Sequence, residues 1–461
     1  MDQYKRIYFV GIGGIGMSAL ARWFNANGFQ VGGYDKTRTK LIEALEKEGI
    51  VITLMDSVDT IPEDVKLSVV DTLIVYTPAV PVRHIQMNYF KDNNFMILKR
   101  SQVLGMLTNN MRTIGVAGTH GKTTTSSMVA HILKVAGVNS TAFLGGITQN
   151  YGTNLLLNSP TENLEEVVCV VEADEFDRSF LTLFPEIGIV TSTDADHLDI
   201  YGKHDAVLDS FREYVSQIDE KGILFLQDGL EIESACKAKV VRYSLDSGTY
   251  KADNIHTENA RFVFDLIHPE GTIKDIRMVI PGYHNIENAI ASAGVAMYLG
   301  VDTQLIKEAL ESYKGVKRRF EYHIENESVV YIDDYAHHPT EIDAFLKSVR
   351  HLYPGKKITV VFQPHLFTRT RDFLDDFAKS LSNADCLLLL DIYPAREEPI
   401  AGINSGLLLE KTTTLSKFLV SKSELIDKLD EIDLEVLVTI GAGDIDTLIE
   451  PIKELLQATI N

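Results

Sequence analysis

The chain has 461 residues, 45% of them hydrophobic, enough for several cores and by length about three domains. With 65 acidic against 44 basic residues its net charge is −21, which argues against nonspecific binding to nucleic acid or to an anionic membrane surface. Cys169, Cys236 and Cys386 lie far apart and suit a reducing compartment, the start has no signal-peptide layout, and no apolar run nears the roughly 20 residues of a membrane span, so a cytoplasmic protein without stable membrane insertion is expected.

Residues 5–10, KRIYFV, read as a buried parallel strand that enters a glycine-rich turn and a helix, with a second strand ending at Asp35. Gly11, Gly13 and Gly16 match a dinucleotide-type fingerprint, followed about 20 residues on by the acidic residue such a fold places near a ribose. The pattern suits a diphosphate at the helix N-terminus. It does not separate a dinucleotide from a nucleotide-diphosphate sugar. Strand–helix alternation continues to about residue 102, so a first α/β domain is expected over 1–106.

Residues 112–133, RTIGVAGTHGKTTTSSMVAHIL, carry the strongest chemical signal. An apolar strand enters a loop bounded by Gly118 and Gly121, and Lys122 and Thr123 open a helix. Strand, phosphate loop and helix form the context a nucleoside-triphosphate site requires. Loop amides cradle phosphate oxygens, the Lys122 ammonium reaches the outer phosphates, and the Thr123 hydroxyl holds magnesium. One position departs from the usual loop: Val116 stands where its first glycine is expected.

VVCVV (167–171) then reads as a strand that presents Glu172, with Asp174 and Glu175 beside it, to the ligand crevice at the carboxyl edge of a sheet. Glu172 is the leading magnesium ligand or orienting group. Asp194, Asp196, His197 and Asp199 follow another strand and resemble a second cation site. Short strands from about 221 to 280 suggest an antiparallel or mixed extension of the same domain. A long helix after the Pro281–Gly282 turn carries His284, Asn285 and Asn288 near its start, and the two asparagines share a face. The second domain is expected over 107–317.

Arg318 and Arg319, candidates for phosphate contact, open a third domain over 318–461. It repeats strand, polar loop and helix without a phosphate loop of its own, and so reads as a second doubly wound unit. Asp333, Asp334, His337 and His338 crowd its first loop, with Pro339 suited to the first turn of the next helix. His365, Arg369 and Arg371 crowd the next loop, where they can meet phosphate or carboxylate groups. Gly441 and Gly443 bring backbone close to whatever sits above the sheet.

Taken together, GIGGIGMS (11–18), GTHGKTTT (118–125), EADEFDRSF (172–180), DADHLDIYG (194–202), HNIENA (284–289), DDYAHHPTE (333–341), FQPHLFTRTRDF (362–373), IYPARE (392–397) and GAGD (441–444) make the chain resemble the Mur ligases over nearly its full length. The resemblance implies a Rossmann-like UDP-sugar domain, a central P-loop ATPase domain with a mixed sheet, and a Rossmann-like C-terminal domain that closes over ATP and receives the amino acid. It implies ATP and Mg2+, and an amide-forming reaction through an acyl phosphate. In the alanine-adding branch the substrates are UDP-N-acetylmuramate and L-alanine. The tripeptide-recycling branch is the alternative.

The same resemblance implies that Gly11, Gly13, Gly14, Ile15, Gly16, Met17, Ser18 and Asp35 hold the UDP-sugar. Gly118, Thr119, His120, Gly121, Lys122, Thr123 and Thr124 would hold ATP, with Asn285, Asn288, Arg319 and Asp334. Thr123, Glu172 and His197 would serve the metal; Lys122, Glu172, His197, Arg319 and His338 would be catalytic. His337, His365, Arg369 and Arg371 would line the amino-acid pocket. Relatives in other branches carry a carbamylated lysine where this chain has Arg212, which cannot replace it. A monomer or weak homodimer is expected.

Overall fold

The computed structural model describes residues 1, 3–161, 163–194, 198–395 and 397–460, and only the backbone at 198, 199, 459 and 460. The expectations placed on Asp196, His197 and the side chain of Asp199 fall outside these residues.

Among the described residues the strands form three sheets. The first contains β1 (Arg6–Val10), β2 (Gln30–Tyr34), β3 (Val51–Thr53), β4 (Thr72–Tyr76) and β5 (Met96–Lys99) in the order β3-β2-β1-β4-β5, all parallel. The order reverses between β1 and β4. A crevice opens above the carboxyl ends of strands at such a reversal, which is where the loop after β1 lies.

The second sheet contains β6 (Arg112–Ala117), β7 (Ser140–Phe143), β8 (Leu155–Leu156), β9 (Val168–Glu172), β10 (Ile187–Val190), β11 (Ile223–Gln227), β12 (Lys239–Ser244), β13 (Tyr250–Glu258), β14 (Arg261–His268) and β15 (Gly271–Met278). Their order is β15-β14-β13-β12-β11-β10-β6-β9-β7-β8. It is mixed: β6 has parallel neighbours in β9 and β10, while β7 and β8 run antiparallel.

The third sheet contains β16 (Glu321–Glu325), β17 (Val330–Asp334), β18 (Ile358–Phe362), β19 (Cys386–Leu389), β20 (Ser416–Leu419) and β21 (Val436–Ile440), in the order β16-β17-β21-β18-β19-β20. Only the edge pair β16–β17 is antiparallel. The last strand inserts between β17 and β18, so Asp334, Ile440 and Phe362 stand level at one edge. The loops that follow these three residues therefore leave the sheet side by side.

The chain forms two compact units. One comprises Met1–Lys251, Leu266–Ile273 and Asn288–Leu310; the other comprises Ala252–Asp265, Lys274–Glu287 and Glu311–Asn461. In the first unit one core joins the first two sheets, with Phe9, Trp23, Phe24 and Leu107 continuous with Val171, Phe180 and Tyr214. Burying such an aromatic or aliphatic side chain contributes roughly 1.5–3 kcal/mol. The second unit closes around Tyr331, Val361, Leu388, Leu437 and Ile452. No helix among the described residues is long and apolar enough to cross a membrane.

Candidate functional site

The first candidate loop leaves β1 at Gly11, whose φ of +87° favours glycine. Its turn is tied down by Asp35 at the end of β2: the Gly13 amide donates to Asp35 Oδ2 at 2.8 Å, and a Cβ on Gly13 would lie 2.9 Å from that oxygen. Asp35 here holds the glycine turn. The helix Ile15–Ala26 then begins with Gly14 at its cap, without a side-chain cap bond and without an acidic residue in its first turn. Its free amides face the loop, the arrangement that receives phosphate. Met17 and Ser18 are buried in that first turn. The carboxamide of Asn154, itself fully buried, donates to Ile15 O at 2.6 Å and to Ser18 Oγ at 2.9 Å. This part of the unit fixes the start of the glycine-loop helix.

The second loop leaves β6. Val116 lies inside that strand, paired with Ile189 and Glu172, so the chain has not yet turned there. The turn is made by Gly118, φ +141°, and Gly121, φ +81°. At Gly118 a Cβ would collide with Thr191 Oγ1, and at Gly121 it would lie 2.9 Å from Asn288 Oδ1. The missing first glycine is thus explained: the backbone demands glycine two residues later. The segment after β10 braces the loop. The His120 amide donates to Ser192 Oγ at 2.8 Å, and Thr119 Oγ1 accepts from the Asp194 amide at 3.0 Å. His120 Nε2 lies 3.3 Å from Asp194 Oδ2. The helix Lys122–Val135 follows, with Thr123 and Thr124 buried in its first turn. One turn further, Thr125 Oγ1 donates to Asn288 Oδ1 at 3.0 Å.

Lys122 is folded onto its own loop and onto an acidic neighbour. Its Nζ donates to Gly118 O at 2.6 Å and pairs with Glu175 at 2.8 Å. Burial works against its charge, but Glu175, Asp174 and Glu172 outweigh burial and hold its pKa above the ordinary lysine value. Glu175 is the carboxylate in contact, and Asp174 and Glu172 add their charge to the field on the ammonium. Glu172, at the end of β9, packs its carboxylate against Gly145 so closely that a Cβ there would lie within 2.6 Å of both oxygens. That glycine leaves room for the carboxylate, and Thr123 and Glu172 are hard oxygen donors of the kind Mg2+ prefers, while among the described residues no group of three or more His, Cys, Asp or Glu is gathered as for a metal. His197 is outside the described residues. Arg212, on the helix His204–Ser216, pairs with Asp209 at 2.8 Å on an exposed face.

The second unit gathers its own polar cluster where its three loops emerge. Asp334, buried at the end of β17, accepts 2.7 Å hydrogen bonds from the amides of Phe320 and Ala336. Burial still raises its pKa to about 6, against Arg319 and those two amides. Arg318 sits at φ +61°, donates to Asp333 Oδ2 at 3.0 Å and to Gly441 O at 2.6 Å, and so ties the start of the third sheet to its last loop. The Arg318 and Arg319 guanidiniums both lie over the Tyr335 ring, at 5.3 and 5.1 Å. His338 caps the helix Pro339–Leu352 with Pro339 at its first position, and Glu341 completes the capping box. His337 Nδ1 lies 3.5 Å from Glu341 Oε2.

His365 stacks on Tyr393 at 5.8 Å and lies 6.2 Å from the His337 ring. Leu366, at φ +71°, turns the chain into the short helix Phe367–Asp372. A non-glycine residue held there is strained, a feature that concentrates at functional sites. On that helix Arg369 is buried, whereas Arg371 is exposed and paired with Asp372 at 2.7 Å. Asn285 Nδ2 donates to Pro281 O at 2.6 Å, and His284 is exposed.

Sequence reasoning missed Arg100, Asn154 and Tyr335, and it did not see Glu175 as the partner of Lys122. Arg100 left a signal, a basic residue just beyond the last strand of the first sheet, and Tyr335 and Glu175 lie inside motifs read from the sequence without their partners. Asn154 depends on contacts distant in sequence.

Three family models match the chain: Mur ligase family, catalytic domain, over residues 6–112; Mur ligase middle domain over 116–296; and Mur ligase, glutamate ligase domain, over 318–443. A UDP-N-acetylmuramate–L-alanine ligase of Flavobacterium psychrophilum is 50% identical over 99% of both chains. One of Cytophaga hutchinsonii is 48% identical over 98% of this chain and 97% of its own. Among solved structures, a UDP-N-acetylmuramate–alanine ligase of Thermotoga maritima superposes with a TM-score of 0.81 at 28% identity, covering 98% of this chain and 99% of the other. A murein peptide ligase of Psychrobacter arcticus, 23% identical over 98% of each chain with a TM-score of 0.72, shares the fold.

Proposed function

The chain belongs to the Mur ligase family, and from that premise we propose that it joins L-alanine to the carboxylate of UDP-N-acetylmuramate with ATP, the first amino-acid addition to the peptidoglycan precursor. The observation that carries this reading is the brace of Gly118–Lys122 against the segment after β10, which sets a lysine-bearing phosphate loop at the centre of a sheet. The near full-length identity to alanine-adding ligases supports the choice of substrates. The three domains span 1–106, 107–317 and 318–461.

A carboxylate oxygen is a poor leaving group. The muramate carboxylate therefore attacks the γ-phosphorus of ATP, ADP departs, and an acyl phosphate remains. The neutral amine of alanine adds to its carbonyl carbon, loses a proton, and the tetrahedral intermediate expels phosphate. Both reactants of the first step are anions, so fixed positive charge must offset their repulsion. Lys122 supplies it from the loop, once phosphate oxygens draw its ammonium from Glu175. Thr123 and Glu172 would hold Mg2+, with His197 in the supporting role the family resemblance gives it; the bound ion would add charge neutralisation on the phosphates. The family resemblance gives Arg319 the role of a second cation toward phosphate, and Asn288 holds the phosphate-loop helix in place through Thr125. Asp334 and His338 fix the loop after β17. Arg369, buried beside the turn at Leu366, suits the alanine carboxylate, with His337 and His365 walling the pocket.

The test is phosphate release with ATP, Mg2+ and UDP-N-acetylmuramate, offering L-alanine, L-serine, glycine or the tripeptide. The reading expects L-alanine to give the highest kcat/KM. Turnover with the tripeptide and none with alanine would move the chain to the recycling branch, and no phosphate release with any amine would end the assignment.

A further inference from the structure

Resting on the reading of residues 11–18 as the diphosphate loop, we propose that Arg100 is the guanidinium that binds the diphosphate of the sugar nucleotide, and that Asp174 holds it while the loop is empty. The register of the first sheet places it there. Val10, Tyr76 and Lys99 stand level at the carboxyl edge of β1, β4 and β5, so Gly11 and Arg100 are the next residues on their strands. The Arg100 side chain then lies against Gly16: a Cβ on that glycine would sit 3.0 Å from Nη1 and 3.3 Å from Cζ. The third fingerprint glycine is therefore needed to make room for an arginine.

The charge arrangement calls for an anion. The helix Ile15–Ala26 presents its positive end to the loop with no acidic residue in its first turn and no side-chain cap. A guanidinium beside that end places like charges together. The carboxylate that answers it, Asp174 Oδ2, is 3.8 Å from Nη2, and the pair is partly exposed. A long, partly exposed pair of this kind is weak and easily given up. A diphosphate satisfies both the helix end and the planar fork of arginine, which takes two phosphate oxygens at once. Asp174 also adds its charge to the field on Lys122. Filling the sugar-nucleotide loop thus changes what Asp174 faces next to the ATP loop, and any such coupling acts equally in both directions.

The experiment is calorimetric titration with UDP-N-acetylmuramate, and with UDP as a probe, in the absence of ATP. The proteins are the wild type, Arg100→Ala, Arg100→Lys, Asp174→Asn, Gly16→Ala and the double variant Gly16→Ala/Arg100→Ala, each checked for an unchanged melting temperature. Arg100→Ala is expected to raise Kd at least tenfold and Arg100→Lys less. Asp174→Asn is expected to lower Kd several-fold, an effect that loss of a merely structural contact would not produce. The double variant should bind no worse than Gly16→Ala, because both changes remove the same contact. Binding by Arg100→Ala within twofold of wild type, with Gly16→Ala impaired, would overturn the arginine assignment and leave the loop reading standing. An unchanged Kd in Asp174→Asn would overturn the role given to that carboxylate. Wild-type protein that binds neither ligand, or Gly16→Ala that binds as wild type does, would remove the loop reading itself.

Discussion

Lys122 Nζ lies 2.8 Å from Glu175 Oε2, and the Glu175 side chain is only 1% exposed. A buried carboxylate thus occupies the ammonium that, in the proposed function, the triphosphate engages. Replacing it by the neutral Glu175→Gln removes a competitor from the empty loop and leaves Lys122 less well compensated until phosphate arrives. The nucleotide-free variant should therefore melt at a lower temperature than wild type, yet be stabilised more by ATP, with Kd for ATP reduced about tenfold, since a ligand stabilises in proportion to its affinity for the folded state. Differential scanning fluorimetry across an ATP series reads both. Equal ATP-induced shifts in the two proteins would show that Glu175 does not compete.

Lys122→Ala should abolish ATP-dependent phosphate release while UDP-N-acetylmuramate still binds, because the glycine loop after β1 is built without it. The variant also takes away the cation paired with the buried Glu175, and removing one member of a buried pair costs about 3–5 kcal/mol. Lys122→Met combined with Glu175→Gln separates the two effects. It should recover much of the lost melting temperature and none of the activity. Phosphate release by either variant at more than a few per cent of wild type would remove Lys122 from the mechanism.

Arg369 and Arg371 looked equivalent in the sequence and differ in the structure. Arg369 is buried behind the strained turn at Leu366, whereas Arg371 points outward and pairs with its neighbour Asp372. Arg369→Ala should raise KM for L-alanine tenfold or more with ATP KM little changed. Arg371→Ala should stay within about twofold, since an exposed pair contributes about 0–1 kcal/mol. Steady-state kinetics with alanine as the varied substrate decides it. The opposite ranking would exchange their roles.

The contrast shows which information the chain displays locally. Strand, glycine turn and helix are neighbours in sequence, so the loops after β1 and β6 and the turn at Pro339 could be read directly. Val116 looked like a defect in the second loop, and only the pairing of β6 with β9 and β10 shows that it is still strand. The order of the third sheet was not legible: β21, last in the chain, enters between β17 and β18, and nothing near Val436 announces that. The partners of Lys122, Gly16 and Ile15 lie far along the chain, at Glu175, Arg100 and Asn154. Such pairs are fixed by tertiary packing. A single sequence names the residues and leaves the pairing open.

His131 and Asp334 should make the two compact units respond oppositely to acid. His131, buried on the phosphate-loop helix with Nδ1 2.8 Å from Tyr151 Oη, has its pKa lowered from 6.5 to about 4, chiefly by burial. Between these values the unfolded chain binds the proton and the folded unit does not, so this contribution is complete above pH 6.5 and is lost as pH falls toward 4. Asp334 has its pKa raised from 3.8 to about 6, again chiefly by burial. Between those values the folded unit binds the proton, so its ionisation penalty is absent below pH 3.8 and grows as pH rises to 6. At 1.36 kcal/mol per pH unit each effect is of order 3 kcal/mol at full extent. Hydrogen-exchange protection of Val168–Glu172 should therefore fall between pH 6.5 and 4.5 relative to that of Val330–Asp334. His131→Gln should flatten the first response and Asp334→Asn the second. Parallel pH profiles for the two strands in wild type, unchanged by either substitution, would show that neither group titrates as its burial requires.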